Sequence, residues 1–509
     1  MKIFKTLVCA FILIMAFGCT DLNETLYSKM SADTFYQTEE EVLSGLTNVY
    51  LKLMRVENWF YSWQLQECTT DHGMCPTRPN GAWYSAGFYF LQQAHTWDAT
   101  SSRAQFLYTN YYIGIASANS FIEILNRVSI ENKDVVIAEV RAIRAWEYLA
   151  LIDYFGNIPI VTVATLDQNN LPTNSSRKEV FEFIESELLD AIELLPSLKD
   201  ISNRKSYYPR VAKETAMAML VRLYLNAEIY SGTNRWQDCI NVCNQIVSSG
   251  VYSLAPSISD NFVPLNENCP EIIFSISQDN VRNVYVGGDL NTGGNWINQL
   301  NLKDKLRYKY NVNFNGWGGA CVQEQHYNNY DDEDYRKSLI LTGLQKSANG
   351  DSLMFILPII HVNNASYDEG YVNVKYVPDP LSVADKGGRG LGRNDIVLLR
   401  YAEILMSKAE ALYRLGSVAE ATELINEVRD RNFVTPKPFV NMKLDDILME
   451  FSREFSWECR RRTDLIRYGK FITLRTPWKN FDDEPYRNIF PIPQNEIQTN
   501  PNLVQNPGY

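Results

Sequence analysis

The stretch Ile137–Val163, IAEVRAIRAWEYLALIDYFGNIPIVTV, constrains the fold more than any other. Ala138, Ala142, Ala145, Leu149 and Ile152 recur at steps of three and four and share one helical face. Tyr148, Leu151 and Phe155 cover a second face, so the helix is apolar nearly all round and belongs inside a large domain. Arg141, Arg144 and Glu147 ride on it. Buried cations must be paired, so both arginines are expected to meet carboxylates from neighbouring helices. Gly156 ends the helix and Pro159 forbids its resumption, which leaves a short extended piece from Ile158 to Val163.

The first residues read differently. Lys2 and Lys5 precede an apolar run from Leu7 to Phe17, and Gly18-Cys19 follows, the layout of a secretory signal. The run is shorter than the roughly 20 residues needed to span a bilayer. A cysteine directly after Gly18 suggests a lipoprotein signal with Cys19 as the acylated first residue of the mature chain, although Ala16 stands where a lipobox usually has Leu. Removing residues 1–18 takes away two lysines, so the net charge goes from −12 to −14. An acidic chain is a poor partner for nucleic acid, and the only membrane contact expected is the lipid anchor.

Seven cysteines remain beyond Cys9 and Cys19: Cys68, Cys75, Cys239, Cys243, Cys269, Cys321 and Cys459. An odd count argues against a complete disulfide framework, and buried free thiols are the expectation. Cys239 and Cys243 lie a turn apart, Cys68 and Cys75 can bridge a loop, and no zinc pattern is completed.

Residues 20–32 read as a tether. A helix is expected from Asp33 to Met54, capped by Asp33 or Thr34, with Glu39, Glu40 and Glu41 in its first turns. Residues 58–101 interleave tryptophans and tyrosines with Pro76, Pro79, Gly81 and Gly87, which reads as structured loop rather than helix. Further helices are expected over 103–127 and 177–195. Helical hairpins are expected over 211–248 and 395–431, with small residues at the crossings as in tetratricopeptide units. Residues 250–394 lose helical periodicity, with short strands such as Glu271–Ile276 and Met354–Ile360 between glycine-rich turns. A last helix from Leu444 to Trp457 is expected to run on through the basic segment Arg460–Arg467, whose charges are balanced on the same helix by Glu450, Glu454, Glu458 and Asp464. The prolines of the C-terminal tail rule out helix there, and Ile489, Phe490, Ile492 and Leu503 are expected to pin it to the body.

Five segments together resemble the SusD/RagB family of surface nutrient-binding lipoproteins. They are TFYQTEEEVLSGLTNVY (34–50), AEVRAIRAWEYLALIDYFGNIPIV (138–161), the two hairpins, EFSREFSWECRRRTDLIRYGKF (450–471) and the tail IFPIPQNEI…NPNLVQNPGY. The resemblance implies a mainly α fold of tetratricopeptide-like hairpins with an irregular lobe of loops and short strands. It divides the chain into a signal peptide (1–18), a tether (19–32), an N-terminal SusD-like region (33–250) and a C-terminal SusD/RagB region (251–509). It also implies a partner, a SusC-like TonB-dependent barrel in the outer membrane over which the lipoprotein acts as a hinged lid. Asp21 and Glu24, just after Cys19, resemble the surface-export signals of Bacteroidetes lipoproteins.

The chemistry expected is binding without catalysis. Sugars present flat faces of C–H groups that stack on indole and phenol rings, while flanking polar groups take the hydroxyls. The segment 68–97 resembles the family loop along one side of the ligand site and offers Trp83, Tyr84 and Trp97 with Asp71, Arg78 and His95. Trp296 and Trp317, in glycine-rich loops, are expected on the other side, and Gly316, Gly318 and Gly319 are expected to leave the Trp317 ring uncovered. Peptide is the alternative cargo. A hydrolase needs two positioned carboxyls; Asp71 beside His72, or the cluster Asp331, Asp332, Glu333 and Asp334, would have to supply them. That cluster lacks the EF-hand glycine and reads as a solvated turn, with structural calcium left open and no cofactor expected. No GxSxG, HExxH or P-loop occurs.

Overall fold

The computed structural model describes residues 35–57, 60–278, 300–384 and 390–509. Its long helices are α1 (Glu39–Val56), α2 (Ser102–Arg127), α3 (Lys133–Phe155), α4 (Arg177–Leu194), α5 (Lys213–Leu225), α6 (Trp236–Ser249), α7 (Tyr401–Arg414), α8 (Val418–Asp430) and α9 (Leu444–Glu454). Each packs on the next in chain order, the arrangement of stacked helical hairpins. α6 lies directly on α7 although the whole irregular lobe separates them in sequence. The lobe is therefore looped out of a continuous stack.

The central helix is the predicted one. α3 is buried along nearly its whole length, and Gly156 takes φ 72 at its C-terminal end. Both arginines find their carboxylates on α4: Arg144 pairs with Glu187 and donates to Asn119 Oδ1 at 2.6 Å, and Arg141 reaches Glu187 and Asp190. Glu147 is different. It is fully buried against Gly114 of α2, where any Cβ would strike its carboxyl oxygen, and neither of its oxygens has a hydrogen-bond partner among the described residues.

Several boundaries differ from the sequence reading, each for a local reason. α1 begins at Glu39 because Thr38 and Glu41 form a capping box, so neither Asp33 nor Thr34 is the cap. The helix expected to run on from 211 to 230 breaks after Leu225, where Asn226 turns its side-chain oxygen to Arg467 at 2.9 Å. The aromatic stretch 58–101 holds two short helices, Phe60–Gln66 and Phe88–Gln93, as well as loops. The strand expected to reach Ile360 stops at Ile356. A short helix, Gln494–Thr499, starts directly after Pro493, a position that needs no N–H donor.

The largest correction concerns the basic segment. α9 stops at Glu454, Trp457 and Cys459 adopt left-handed backbone (φ 67 and 56), and a separate helix, α10 (Arg461–Arg467), follows. The break sends the two sets of charges to different partners. Glu450 and Glu454 receive Arg336, Glu454 also receives Arg400 and Arg431, and Glu458 receives Arg400 and Lys375. Arg461 reaches Asp71 and Arg462 reaches Asp153, both in the N-terminal half. Of the four expected acidic partners only Asp464 takes the basic segment's own charges, from Arg460 and Arg467.

The tail lies on the body as expected: Phe490 and Ile492 are fully buried, and Asn506 donates to the carbonyls of Phe155 and Phe490, each at 2.8 Å. All seven cysteines are free thiols. No helix among the described residues is long and apolar enough to cross a membrane.

Candidate functional site

Residues 75–84 leave the buried body and fold back over the lobe. Thr77 and Val362, and Ala365 and Thr77, join them by backbone hydrogen bonds of 3.1 and 2.8 Å to the loop 357–370. Arg78 lies beneath as a fully buried peg. Its guanidinium donates to the carbonyls of Ser366, Glu369 and Gly318 and to the Cys321 sulfur, so one side chain ties three loops together. Glu369 organises the loop 357–370 from within. Its carboxylate accepts the backbone N–H groups of Ile360, His361 and Ser366, and those bonds outweigh burial and hold its pKa down at about 2.

Above this base stand two tryptophans. Trp83 and Trp317 are each half-buried, with ring centroids 6.3 Å apart and planes tilted by 48°. Tyr89 backs Trp83 at 6.1 Å, and Tyr84 beside it is 56% exposed. Arg307 donates to Asn315, two residues before Trp317, and to the hydroxyl of the exposed Tyr308. The glycines beside Trp317 have a role other than the one expected. A Cβ on Gly319 would sit 2.5 Å from the Trp83 ring, and one on Gly316 would strike the Leu302 carbonyl. They admit close neighbours rather than leaving the ring bare.

The loop carrying Trp83 is strained. Asn80, Trp83, Ser85 and Ala86 all take positive φ, between 48° and 62°, where non-glycine residues are disfavoured by roughly 1–3 kcal/mol each. Such a cluster is held only where its surroundings dictate it, and here it brings the Trp83 ring against Gly319, beside Trp317.

The other candidates are placed inside, which corrects the expectation that they line a ligand face. Trp97 is buried; its indole N–H donates to the Tyr509 hydroxyl at 2.7 Å and its ring packs on Phe490. Asp71 is clamped by Arg461 through two bonds of 2.8 Å; burial raises its pKa but the guanidinium prevails and holds it well below the usual carboxylate range. His95 is buried between Asp483 and the Thr69 carbonyl, and burial keeps its pKa below the ordinary histidine value. Arg78 is the peg already described. Trp296 and Cys19 lie outside the described residues. The acidic cluster is spent on cations: Asp334 on Arg336, Asp331 on Arg429, Asp332 on Lys337 and Glu333 on Lys437. Asp71 and Asp334 are buried in these ion pairs, whereas Asp331, Asp332 and Glu333 face solvent.

Sequence reasoning passed over one aromatic pair, Trp478 with Phe90 (centroids 6.0 Å apart). Its signal was present: Trp478 follows Pro477 and precedes Asn480 and Asp482, the same mixture of turn residues and indole that singled out Trp83.

Fold and site define a class: a helical-repeat scaffold presenting aromatic rings from a separate lobe of loops. Two family models match the chain, one described as "SusD family" over residues 357–509 and one described as "Starch-binding associating with outer membrane" over residues 22–225. The chain belongs to the SusD/RagB family. Among similar proteins, the starch-binding protein SusD of Bacteroides thetaiotaomicron is 26% identical, over 81% of this chain and 80% of its own. SusD-like protein P25 of Formosa agariphila is 25% identical over the whole of both chains. The solved structure of surface glycan-binding protein A from Bacteroides thetaiotaomicron in complex with laminarihexaose shares the fold, with a TM-score of 0.74 and 21% identity over 92% of this chain and all of that one.

Proposed function

We propose that this chain is a non-catalytic, cell-surface glycan-binding lipoprotein that captures oligosaccharides and passes them to a SusC-like TonB-dependent transporter in the outer membrane. The observation that carries the reading is the Trp83–Trp317 pair, two half-exposed indoles 6.3 Å apart on loops held from below by Arg78 and Glu369. Tilted indoles fit the C–H faces of neighbouring sugar units, and a platform ordered before binding loses little entropy when the ligand arrives. The family's starch-binding and glycan-binding members support the same ligand class. Cys19 supplies the anchor and the stacked helices the rigid body that docks on the barrel.

The test is affinity electrophoresis in gels containing amylopectin, laminarin, xylan or galactomannan, beside a peptide pull-down. Trp83→Ala with Trp317→Ala is expected to abolish retention while leaving the thermal unfolding midpoint in place. Unchanged retention removes the platform, capture of peptides in its stead favours the other cargo, and new reducing ends during incubation with the same polymers overturn the non-catalytic assignment.

A further inference from the structure

We infer that a second glycan-contact site lies beside the first, in the cleft that Pro477 and Val362 line next to Trp478 and its partner Asn363, and that the ligand is an extended chain engaging both; this rests on the glycan reading above. The cleft has a volume of about 530 Å³ and is walled by Met74, Gln323, Gln325, Ile360, Arg475 and Thr476. Its polar groups are two amides, the Thr476 hydroxyl, the Arg475 guanidinium and the Glu324 carboxylate, donors and acceptors that suit sugar hydroxyls. Gln325 is exposed and its amide donates to Gln323 Oε1 at 3.1 Å.

The aromatic pair is fixed in place. Trp478 is half-buried, its indole N–H donates to Asn363 Oδ1 at 3.1 Å, and Phe90 meets its ring edge-on at 80° while remaining 44% exposed. The turn that carries it is locked from inside. Thr476 donates to the Gln93 carbonyl at 2.7 Å, and the buried Lys479 ammonium donates to the carbonyls of Ile472 and Leu474 and pairs with Asp483. The Trp478 indole is thus held on a rigid turn whose Pro477 lines the cleft.

The two sites share their framework. The helix Phe88–Gln93 sets Tyr89 against Trp83 and the next residue, Phe90, against Trp478. The chain that backs Trp83 at Gly319 runs through Cys321 and Val322 to Gln323 in the cleft wall. Four residues of extended chain span no more than roughly 13 Å. The loop 357–370 closes both, through Arg78 on one side and Ile360 on the other. A polymer lying on Trp83 and Trp317 therefore has the second cleft within a few sugar units.

Trp478→Ala tests this in the same gels, with the titration repeated using laminaritriose and maltotriose. The variant is expected to lose polymer retention by roughly three- to tenfold, the worth of one aromatic contact, while trisaccharide affinity stays at the wild-type value. Phe90→Ala is expected to weaken polymer retention in the same sense, and a wild-type unfolding midpoint for both variants shows that they fold. Polymer retention equal to wild type in Trp478→Ala overturns the second site, and so does an equal loss for trisaccharide and polymer. If Trp83→Ala with Trp317→Ala abolishes retention while Trp478→Ala leaves it at the wild-type value, the glycan reading stands and this inference alone falls. If no polymer retards the wild-type chain, the glycan reading falls and takes this site with it.

Discussion

Glu147 shows most clearly what a single buried group does to this protein. Burial drives its carboxyl well above the ordinary value, and the nearby Glu57 pushes it further up. The carboxyl is therefore protonated in the folded chain under conditions that ionise it in the unfolded one. Below about pH 4.5 it is neutral in both states and costs nothing; as pH rises toward its folded value the unfolded state gains the advantage, and stability is lost. Glu147→Gln removes that titration. In urea unfolding at pH 5 and pH 8, the variant is expected to gain on wild type at the higher pH; a difference that does not change with pH would show that Glu147 is ionised inside. The charge pattern of the sequence named Glu147 as a companion to the arginines, yet Arg144 is taken by Glu187 and leaves it alone. Spacing shows which side chains share a helix. It does not show which of several buried charges pair.

At the scale of elements, the join between α9 and the lobe depends on Glu454. Its carboxylate meets Arg336, Arg400 and Arg431, and its backbone carbonyl accepts from the Lys375 ammonium at 2.7 Å. Burial alone would raise its pKa, but the surrounding cations hold it well below the usual range. Its contribution is therefore present above about pH 4.5 and is lost as acid protonates the folded carboxylate. Glu454→Gln leaves three buried guanidiniums short of a counter-charge and is expected to cost about 3–5 kcal/mol, read as a lower urea midpoint at pH 7. A loss under about 1 kcal/mol would mean that Glu271, Glu450 and Glu458 carry the cluster without it. The same network explains why the helix expected through residue 467 is broken. One continuous rod would hold its acids and arginines on a single axis, whereas the bend at Trp457 and Cys459 lets the acids face the lobe and the arginines face Asp71 and Asp153.

For the whole molecule, the ends matter as much as the stack. The tail returns to the C-terminal end of α3, where Asn506 takes up the Phe155 carbonyl, so the last residues close the helix around which the chain is built. At the other end, metabolic labelling with radioactive palmitate is expected to mark the wild-type protein and to fail in Cys19→Ala; label that survives the change would refute lipidation at that residue. The helical stack, its central helix and the looped-out lobe were legible in the sequence because periodicity, caps and breaker residues act over a few residues. Trp83, Tyr84 and Trp317 were also singled out from their turn-rich surroundings. Tertiary structure alone decided that Trp97, Asp71, Arg78 and His95 face inward, that Trp83 and Trp317 come within 6.3 Å across the chain, and that Trp478 meets Phe90, the residue after the Tyr89 that backs Trp83. The physical reason is one of range. A residue's own neighbours fix its backbone, but its burial and its charge partners are set by chain hundreds of positions away, as with Arg461 on Asp71.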